Sequence, residues 1–317
     1  MLVIKAVNFM VSFYKSVNGK IVQTEECEPG YWVNCIDPTE EEVNFLIRDF
    51  NIEPDFLRAS LDKEESSHLD SEADTTLIII DSPVVEKSEN NLIYLTAPLS
   101  IMITKNNVIT ISLEDNPVIS EFAEGALRNI NTHLKTQFVL HIMLRIATKY
   151  LQYLNQIDRI TSQVEKELRK SMKNKELIQL LEIEKSLVYF SSSLKSNNAT
   201  LEKVMRGKYV KLYEEDHDLL EDVLIEIKQG LEMAQIYLNI LSGTMDAFGS
   251  IISNNLNIVM KVLASITLIF SIPTVISGMY GMNVGHLPFA DHWIFPTLLS
   301  IALMAVAAFI LKKRNLL

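Results

Sequence analysis

The sequence predicts an α+β cytoplasmic domain with a long stalk helix that continues into a two-helix transmembrane unit. Three observations carry this. Strand-like runs of β-branched and aromatic residues crowd the first 115 residues, an apolar period of three or four takes over from about Val118, and two uncharged stretches of membrane-crossing length close the chain. Average composition conceals the division. Net charge is −11, yet beyond Asn254 only Lys261, Asp291, Lys312, Lys313 and Arg314 are charged. So acidic a chain lacks the basic face of a nucleic-acid binder.

Residues 1–115 read as a compact domain. Candidate strands are 3–7, 31–36, 77–84, 93–95, 100–103 and 108–112. A helix starts at Thr39, whose hydroxyl caps it, with Glu42 three residues on to close a capping box. A second helix is expected over 53–61. Lys105-Asn106-Asn107 reads as a hairpin turn between two exposed strands, and the acidic, serine-containing stretch 61–75 as a surface loop or frayed helix end. Cys27 and Cys35 have no histidine cluster beside them and read as free thiols of a reducing compartment. The opening residues carry Lys5 and Lys15 among mixed neighbours, unlike a signal peptide, so the N-terminal part is expected in the cytoplasm.

Residues 116–200 read as cytoplasmic helices, one over 118–158 and one over 160–197 that breaks at Ser196-Asn197-Asn198. A stalk helix follows over 201–261. Leu220, Leu224, Ile227, Leu231, Ala234, Leu238, Leu241, Met245, Phe248 and Ile252 keep alternating four- and three-residue steps, which implies extended helix packing. A long helix lying on its own domain core would show the same seam. Without a stop before the membrane segment, a helix over 203–280 would be roughly 115 Å long. No GxxxxGK[ST] or GxGxxG loop occurs, against a nucleotide-driven pump.

Stretches 262–280 and 293–311 carry no charge and have the length to cross a bilayer. Pro273 is tolerated in such a helix. Tyr280 and Trp293 bracket the loop 281–292 as interfacial aromatics. Lys261 before the first span and the basic tail 312–317 after the second put both ends in the cytoplasm. On the first span Ala264, Thr267, Ser271, Thr274 and Gly278 form one small, partly hydroxylated face, continued by Asn257 and Met260. Such a face suits either a pore lining or a packing seam in lipid. Two spans cannot enclose a pore, so several copies would have to surround one.

Tyr280-Gly281-Met282-Asn283, between two terminal spans and after a long stalk, resembles the Gly-Met-Asn signature of the CorA-type magnesium transporter family. The stretch from Asn254 to Leu263 is similar to that family's inner pore entrance. The resemblance covers essentially the whole chain. It implies a funnel-shaped homopentamer embedded in the bilayer that passes Mg²⁺, and often Co²⁺ or Ni²⁺, down the electrochemical gradient, with no cofactor. Carried over, Asn283 meets the hydrated ion, Gly281 exposes carbonyls beside it, Asn257 forms an inner polar ring, and Met260 and Leu263 make an apolar constriction. Two departures stand out. Ser271 occupies a position where the family frequently has methionine, which implies a wetter gate. The loop from Val284 to Pro288 lacks the family's usual carboxylates until Asp291.

Glu214, Glu215, Asp216, Asp218, Glu221, Asp222 and Glu226 crowd residues 212–227 without a Lys or Arg. They read as a solvated helix face or as a Mg²⁺ sensor between subunits that gates the pore. The resemblance favours Asp222 as a ligand, opposed by Asp62, Glu64 or Glu65 of the next subunit. Two alternatives stand beside this reading. His217, His286 and His292 would suit a zinc transporter of the same fold, and the stalk alone would suit a membrane-anchored coiled-coil scaffold. No nucleophile, base and orienting group recur together as in an enzyme.

Overall fold

The computed structural model describes residues 4–5, 11–88, 91–171, 174–283, 289, 292, 294–314 and 316. Nine strands and two short helices come first: β1 (Ile4–Lys5), β2 (Val11–Val17), β3 (Lys20–Thr24), β4 (Glu26–Cys27), β5 (Trp32–Ile36), α1 (Glu40–Phe50), α2 (Pro54–Ser60), β6 (His68–Glu72), β7 (Thr75–Ser88), β8 (Asn91–Ile103) and β9 (Val108–Ser112). Five helices follow: α3 (Pro117–Ala123), α4 (Lys135–Ser171), α5 (Asn174–Met205), α6 (Glu214–Tyr280) and α7 (Ile294–Lys313). The chain divides into two units, Met1–Gly243 and Thr244–Leu317, and α6 runs from the first into the second.

In the first unit a seven-stranded sheet has the order β3-β2-β5-β9-β8-β7-β6, with β5 and β9 parallel and the other pairs antiparallel. Leu46, Phe56 and Leu57 of α1 and α2 share a core with Cys35, Leu77, Ile79, Met102 and Ile111 of the sheet. Trp32 meets Phe138 of α4 at a ring distance of 5.5 Å, and Tyr150 of α4 meets Phe190 of α5 at 5.0 Å. Helices on both faces leave every residue of β9 buried, as a doubly covered central strand requires. Both cysteines are buried and free. Burial, helped by the charge of Glu28, pushes the Cys27 thiol up to about 12, and burial with Glu42 pushes Cys35 higher still. Both therefore act as small apolar fillers rather than reactive thiols.

The capping box of α1 forms as its sequence implies. Glu42 N–H donates to Thr39 Oγ1 at 3.4 Å and Thr39 N–H to Glu42 Oε2 at 2.7 Å. Elsewhere the structure departs from the expectations. The turn at Lys105–Asn107 is closed by Thr104 N–H donating to Asn107 O at 2.9 Å, but it joins buried strands rather than exposed ones. Stretch 61–75 contains β6, an edge strand polar except for buried Leu69, and edge strands carry charge for good reason. β2 and β3, outside the expected strands, form a hairpin whose turn dipeptide is Asn18-Gly19, at φ 50° and 74°. Segments 93–95 and 100–103 are one strand, β8, interrupted only in sequence by Pro98. Before Leu99 β8 has no pairing with β9, and after Ile79 β7 has none with β6, so Pro98 and Pro83 each face one neighbour only.

The helix expected over 118–158 is two: α3 ends before Gly125, at φ 66°, and α4 begins only at Lys135. α4 then runs past the expected break near 159. The polar run Ser196–Asn198 lies inside α5, because Asn197 is buried and bonded to the sheet rather than to a loop. α6 starts at Glu214 instead of 201, after a link that turns at Gly207, φ 65°.

Candidate ion pathway

The apolar seam of α6 is spent, in the first unit, on its own chain. Leu220, Leu224, Ile227, Ala234 and Leu241 are buried. At Gly230 the helix backbone lies close to Leu194 of α5 and Leu151 of α4, and a Cβ there would stand at ordinary contact distance, 3.4 and 3.6 Å, from them. Ser242 Oγ donates to Glu184 Oε1 of α5 at 2.6 Å. Farther along, Ile252 is exposed, which ends the buried run expected from sequence.

α6 and α7 are the two helices, among the described residues, apolar enough to cross a membrane, with mean hydropathy of 2.0 and 2.5. Only 6% of each apolar window is buried within the chain, so lipid or further subunits must cover the rest. The helices are antiparallel and tied at both ends. Ser265 Oγ donates to Leu316 O at 2.9 Å, and the rings of Tyr280 and Phe295 lie 6.4 Å apart. Ser265 and Ile276 are the buried residues on this side of α6.

The opposite side carries the sequence-predicted face. Asn257, Met260, Ala264, Thr267, Ser271, Thr274 and Gly278 are all exposed in the chain. At 3.6 residues per turn their centre lies roughly 140° around the helix from that of Ser265 and Ile276. Leu263, also exposed, stands at the margin of this face. Thr267 Oγ1 donates to Leu263 O at 2.8 Å, Ser271 Oγ to Leu268 O at 2.8 Å and Thr274 Oγ1 to Phe270 O at 3.4 Å. With their protons given to the helix, these hydroxyls present acceptor lone pairs outward.

At the end of α6, Gly281 N–H donates to Ser277 O at 2.9 Å. A Cβ at Gly281 would stand 3.1 Å from that same oxygen, so the close turn favours glycine. Asn283 follows outside the helix and is exposed. The last turn of α6 has no basic residue, which leaves the negative end of the helix dipole uncompensated at this mouth. His286 and Asp291, with the rest of 284–288, and Trp293 lie outside the described residues.

The acids at the other end of α6 do not act alike. Asp216 is buried, and its Oδ2 accepts from Tyr213 N–H at 2.9 Å, so it caps the helix. Asp218, Glu221 and Asp222 are exposed, and Glu226 is half-buried. In the N-terminal candidates, Asp62 Oδ1 accepts from Glu64 N–H at 2.9 Å, and Glu65 Oε1 lies 3.5 Å from His68 Nδ1. Among the described residues no three acids, histidines or cysteines converge as a metal site within one chain. A three-ligand site at Asp222 would therefore need a second subunit.

Residues 28–313 match the family model described as CorA-like Mg²⁺ transporter protein. A relative from Methanocaldococcus jannaschii, named cobalt/magnesium transport protein CorA, is 28% identical over 86% of this chain and 87% of its own length. One of the same name from Thermotoga maritima is 26% identical over 68% of this chain and 64% of its own. The complete structure of the M. jannaschii CorA magnesium transporter superposes with a TM-score of 0.79 at 25% identity, covering 97% of this chain and 98% of that one. Since the match runs from β5 to the last turn of α7 and takes in both the sheet domain and the two-helix unit, this chain belongs to the CorA-like Mg²⁺ transporter family.

Proposed function

We propose that the chain conducts Mg²⁺ as a funnel-shaped homopentamer, through a path lined by the small face of α6 and entered past Gly281 and Asn283. Family membership makes it a Mg²⁺ transporter rather than an enzyme, in a protein that crosses the membrane twice with both ends in the cytoplasm. The observation that carries the pathway is the exposed, acceptor-rich face of α6, set away from the side packed on α7. Within this reading 262–280 is the pore-lining span, 281–292 the external loop, 293–311 the second span and 312–317 the basic tail. The stalk, expected over 201–261, is α6 from Glu214 onward, and it follows in sequence the domain 1–115 and the helices after it.

Mg²⁺ sheds water reluctantly, so the easier passenger is the hydrated ion. Its shell presents O–H donors outward. The amide oxygens of Asn283, carbonyls by Gly281, hydroxyl oxygens of Thr267, Ser271 and Thr274, and Asn257 at the inner end all accept them. A ring of carboxylates would hold the ion too firmly for release. Met260 and Leu263 close the path by dewetting. An inside-negative potential of 100 mV contributes about 4–5 kcal/mol to a divalent ion, enough to drive uptake without a nucleotide. Asp218, Glu221 and Asp222 hold Mg²⁺ between subunits and shut the gate when cytoplasmic Mg²⁺ is abundant.

The cobalt and magnesium in the names of the relatives favour this over the zinc reading. Flux into sealed vesicles with Mg²⁺, Co²⁺, Ni²⁺ and Zn²⁺ offered separately, with and without a proton gradient, tests it. Mg²⁺ flux that follows the imposed potential and needs no proton gradient is expected; Zn²⁺ flux alone would overturn the assignment.

A further inference from the structure

A cavity of about 810 Å³ opens in the first unit where α4 and α6 both begin. That is within the usual size of a small-molecule site. Its lining carries three cations, Lys105, Lys135 and Lys211. It also carries the anions Asp74, Glu214, Glu215 and Asp218, beside Asp216, which caps α6. Leu134, half exposed, and Tyr209 add apolar surface. Among the described residues none of these lysines or acids makes an ion pair, although both signs line one cavity. Unpaired opposite charges facing one space call for a ligand that spans them.

The walls are already fixed. Lys135 Nζ donates to Thr104 O and Lys105 O, each at 2.6 Å, which holds its charge in place. Thr136 Oγ1 donates to Lys211 O at 3.1 Å and Thr76 Oγ1 to Tyr209 O at 3.0 Å, so the link before α6 is pinned to α4 and the sheet. A free anion would meet the carboxylates, and a free divalent cation would meet the lysines. A ligand that carries both charges in one body satisfies both sets of side chains.

We infer that this cavity binds a Mg²⁺ chelate of a polyanion, with the lysines on the anion's oxygens and the carboxylates on the chelated metal or its waters. Polyphosphates, nucleotides and citrate share that chemistry. The site lies apart from the small face of α6 but shares Asp218 with the proposed Mg²⁺ sensor, so the variants that test it leave Asp218 in place and the readout is binding rather than flux.

Calorimetric titration of the detergent-solubilised full-length protein tests this, with ATP, tripolyphosphate and citrate each offered with Mg²⁺ and with EDTA, and Mg²⁺ alone as a further arm. At least one chelate should bind about tenfold more tightly than its metal-free anion. ATP tighter than tripolyphosphate would assign Leu134 and Tyr209 to the base; citrate tighter than both would assign a carboxylate chelate. Lys105→Ala with Lys211→Ala should weaken the chelate about tenfold, and both are surface changes that leave the fold's melting intact. Asp74→Asn with Glu215→Gln should weaken the chelate yet strengthen the metal-free anion. No chelate binding, equal binding with and without Mg²⁺, or a carboxylate variant that shifts both forms alike would overturn the inference.

Discussion

Asn197 of α5 pairs with the backbone of Asp81 in β7, 116 residues away, as a neighbouring strand would. Its Oδ1 accepts from Asp81 N–H at 2.9 Å and its Nδ2 donates to Asp81 O at 2.8 Å. Ser67 Oγ also donates to that Oδ1, and Tyr150 OH donates to Asp81 O at 3.1 Å. β7 has no β6 partner at this point, so the amide substitutes for the missing ladder and fastens α5 to the sheet. Asn197→Ala takes one partner from each main-chain group of Asp81, leaving the N–H only Ser67 Oγ at 3.1 Å and the C=O only Tyr150 OH on that side. Unfolding in denaturant should show a loss of about 1–3 kcal/mol, against well under 1 kcal/mol, roughly, for a change at the exposed Lys195 of the same helix.

The side chain of Asp81 makes a second prediction. Burial raises its pKa, and the hydrogen bond from Ser193 offsets this only in part. A carboxyl whose folded pKa exceeds its unfolded value favours folding while protonated, and that contribution is lost as pH rises through the folded value. Asp81→Asn keeps the acceptor for Ser193 without the charge. Its melting temperature should therefore exceed the parent's at pH 7, and the gap should close as pH falls below the ordinary aspartate range. A constant gap at every pH would place the effect in packing instead.

Much of this architecture is legible in the sequence, and where reading fails the cause is physical. The capping box at Thr39 and Glu42, the strand 108–112 and both spans announce themselves through local pattern. β6 does not, because an edge strand with one solvent face needs little apolar alternation. Asn197 looks like a helix breaker until Asp81 is beside it, and that partner is far off in sequence. The small face of α6 is legible as a three- and four-residue repeat, whereas the carbonyl on which each hydroxyl spends its proton is set by local helix geometry. Asp216 shows the limit in the other direction. It sits in an acidic run that suggests ion binding, yet its carboxylate is committed to the helix cap.

The small face of α6 separates a pore lining from a seam in lipid by one substitution. Ser271 is exposed in the chain. Ser271→Leu should leave the mass of the detergent-solubilised particle unchanged while Mg²⁺ flux into vesicles falls about tenfold or more. Phe270→Leu, on the exposed flank, should stay within about twofold of the parent. A particle that falls apart in Ser271→Leu would show that the face packs helices together.

Asn283→Ala removes the amide oxygen offered to the hydrated ion. Flux should fall sharply and discrimination between Mg²⁺ and Co²⁺ should narrow, with assembly retained. Parent-like flux and ion preference would place the filter elsewhere.

Closure by cytoplasmic Mg²⁺ can be argued from charge. Asp218, Glu221 and Asp222 are exposed, and among the described residues none has a cationic partner in its own chain. In a symmetric ring these carboxylates from neighbouring copies repel one another, and a bound divalent ion both cancels that repulsion and bridges the copies. Such a site must be weak, near millimolar, to release the ion when Mg²⁺ falls. Asp218→Asn, Glu221→Gln and Asp222→Asn together remove the ligand charge while keeping size and helix propensity. Without that charge, Mg²⁺ has nothing to bridge, so patch currents should persist at internal Mg²⁺ levels that silence the parent, about tenfold higher or more. Restoring Asp222 alone should recover part of the inhibition if it is the principal ligand. An inhibition curve in the triple variant identical to the parent's would remove this cluster from gating and return it to the role of a solvated helix face.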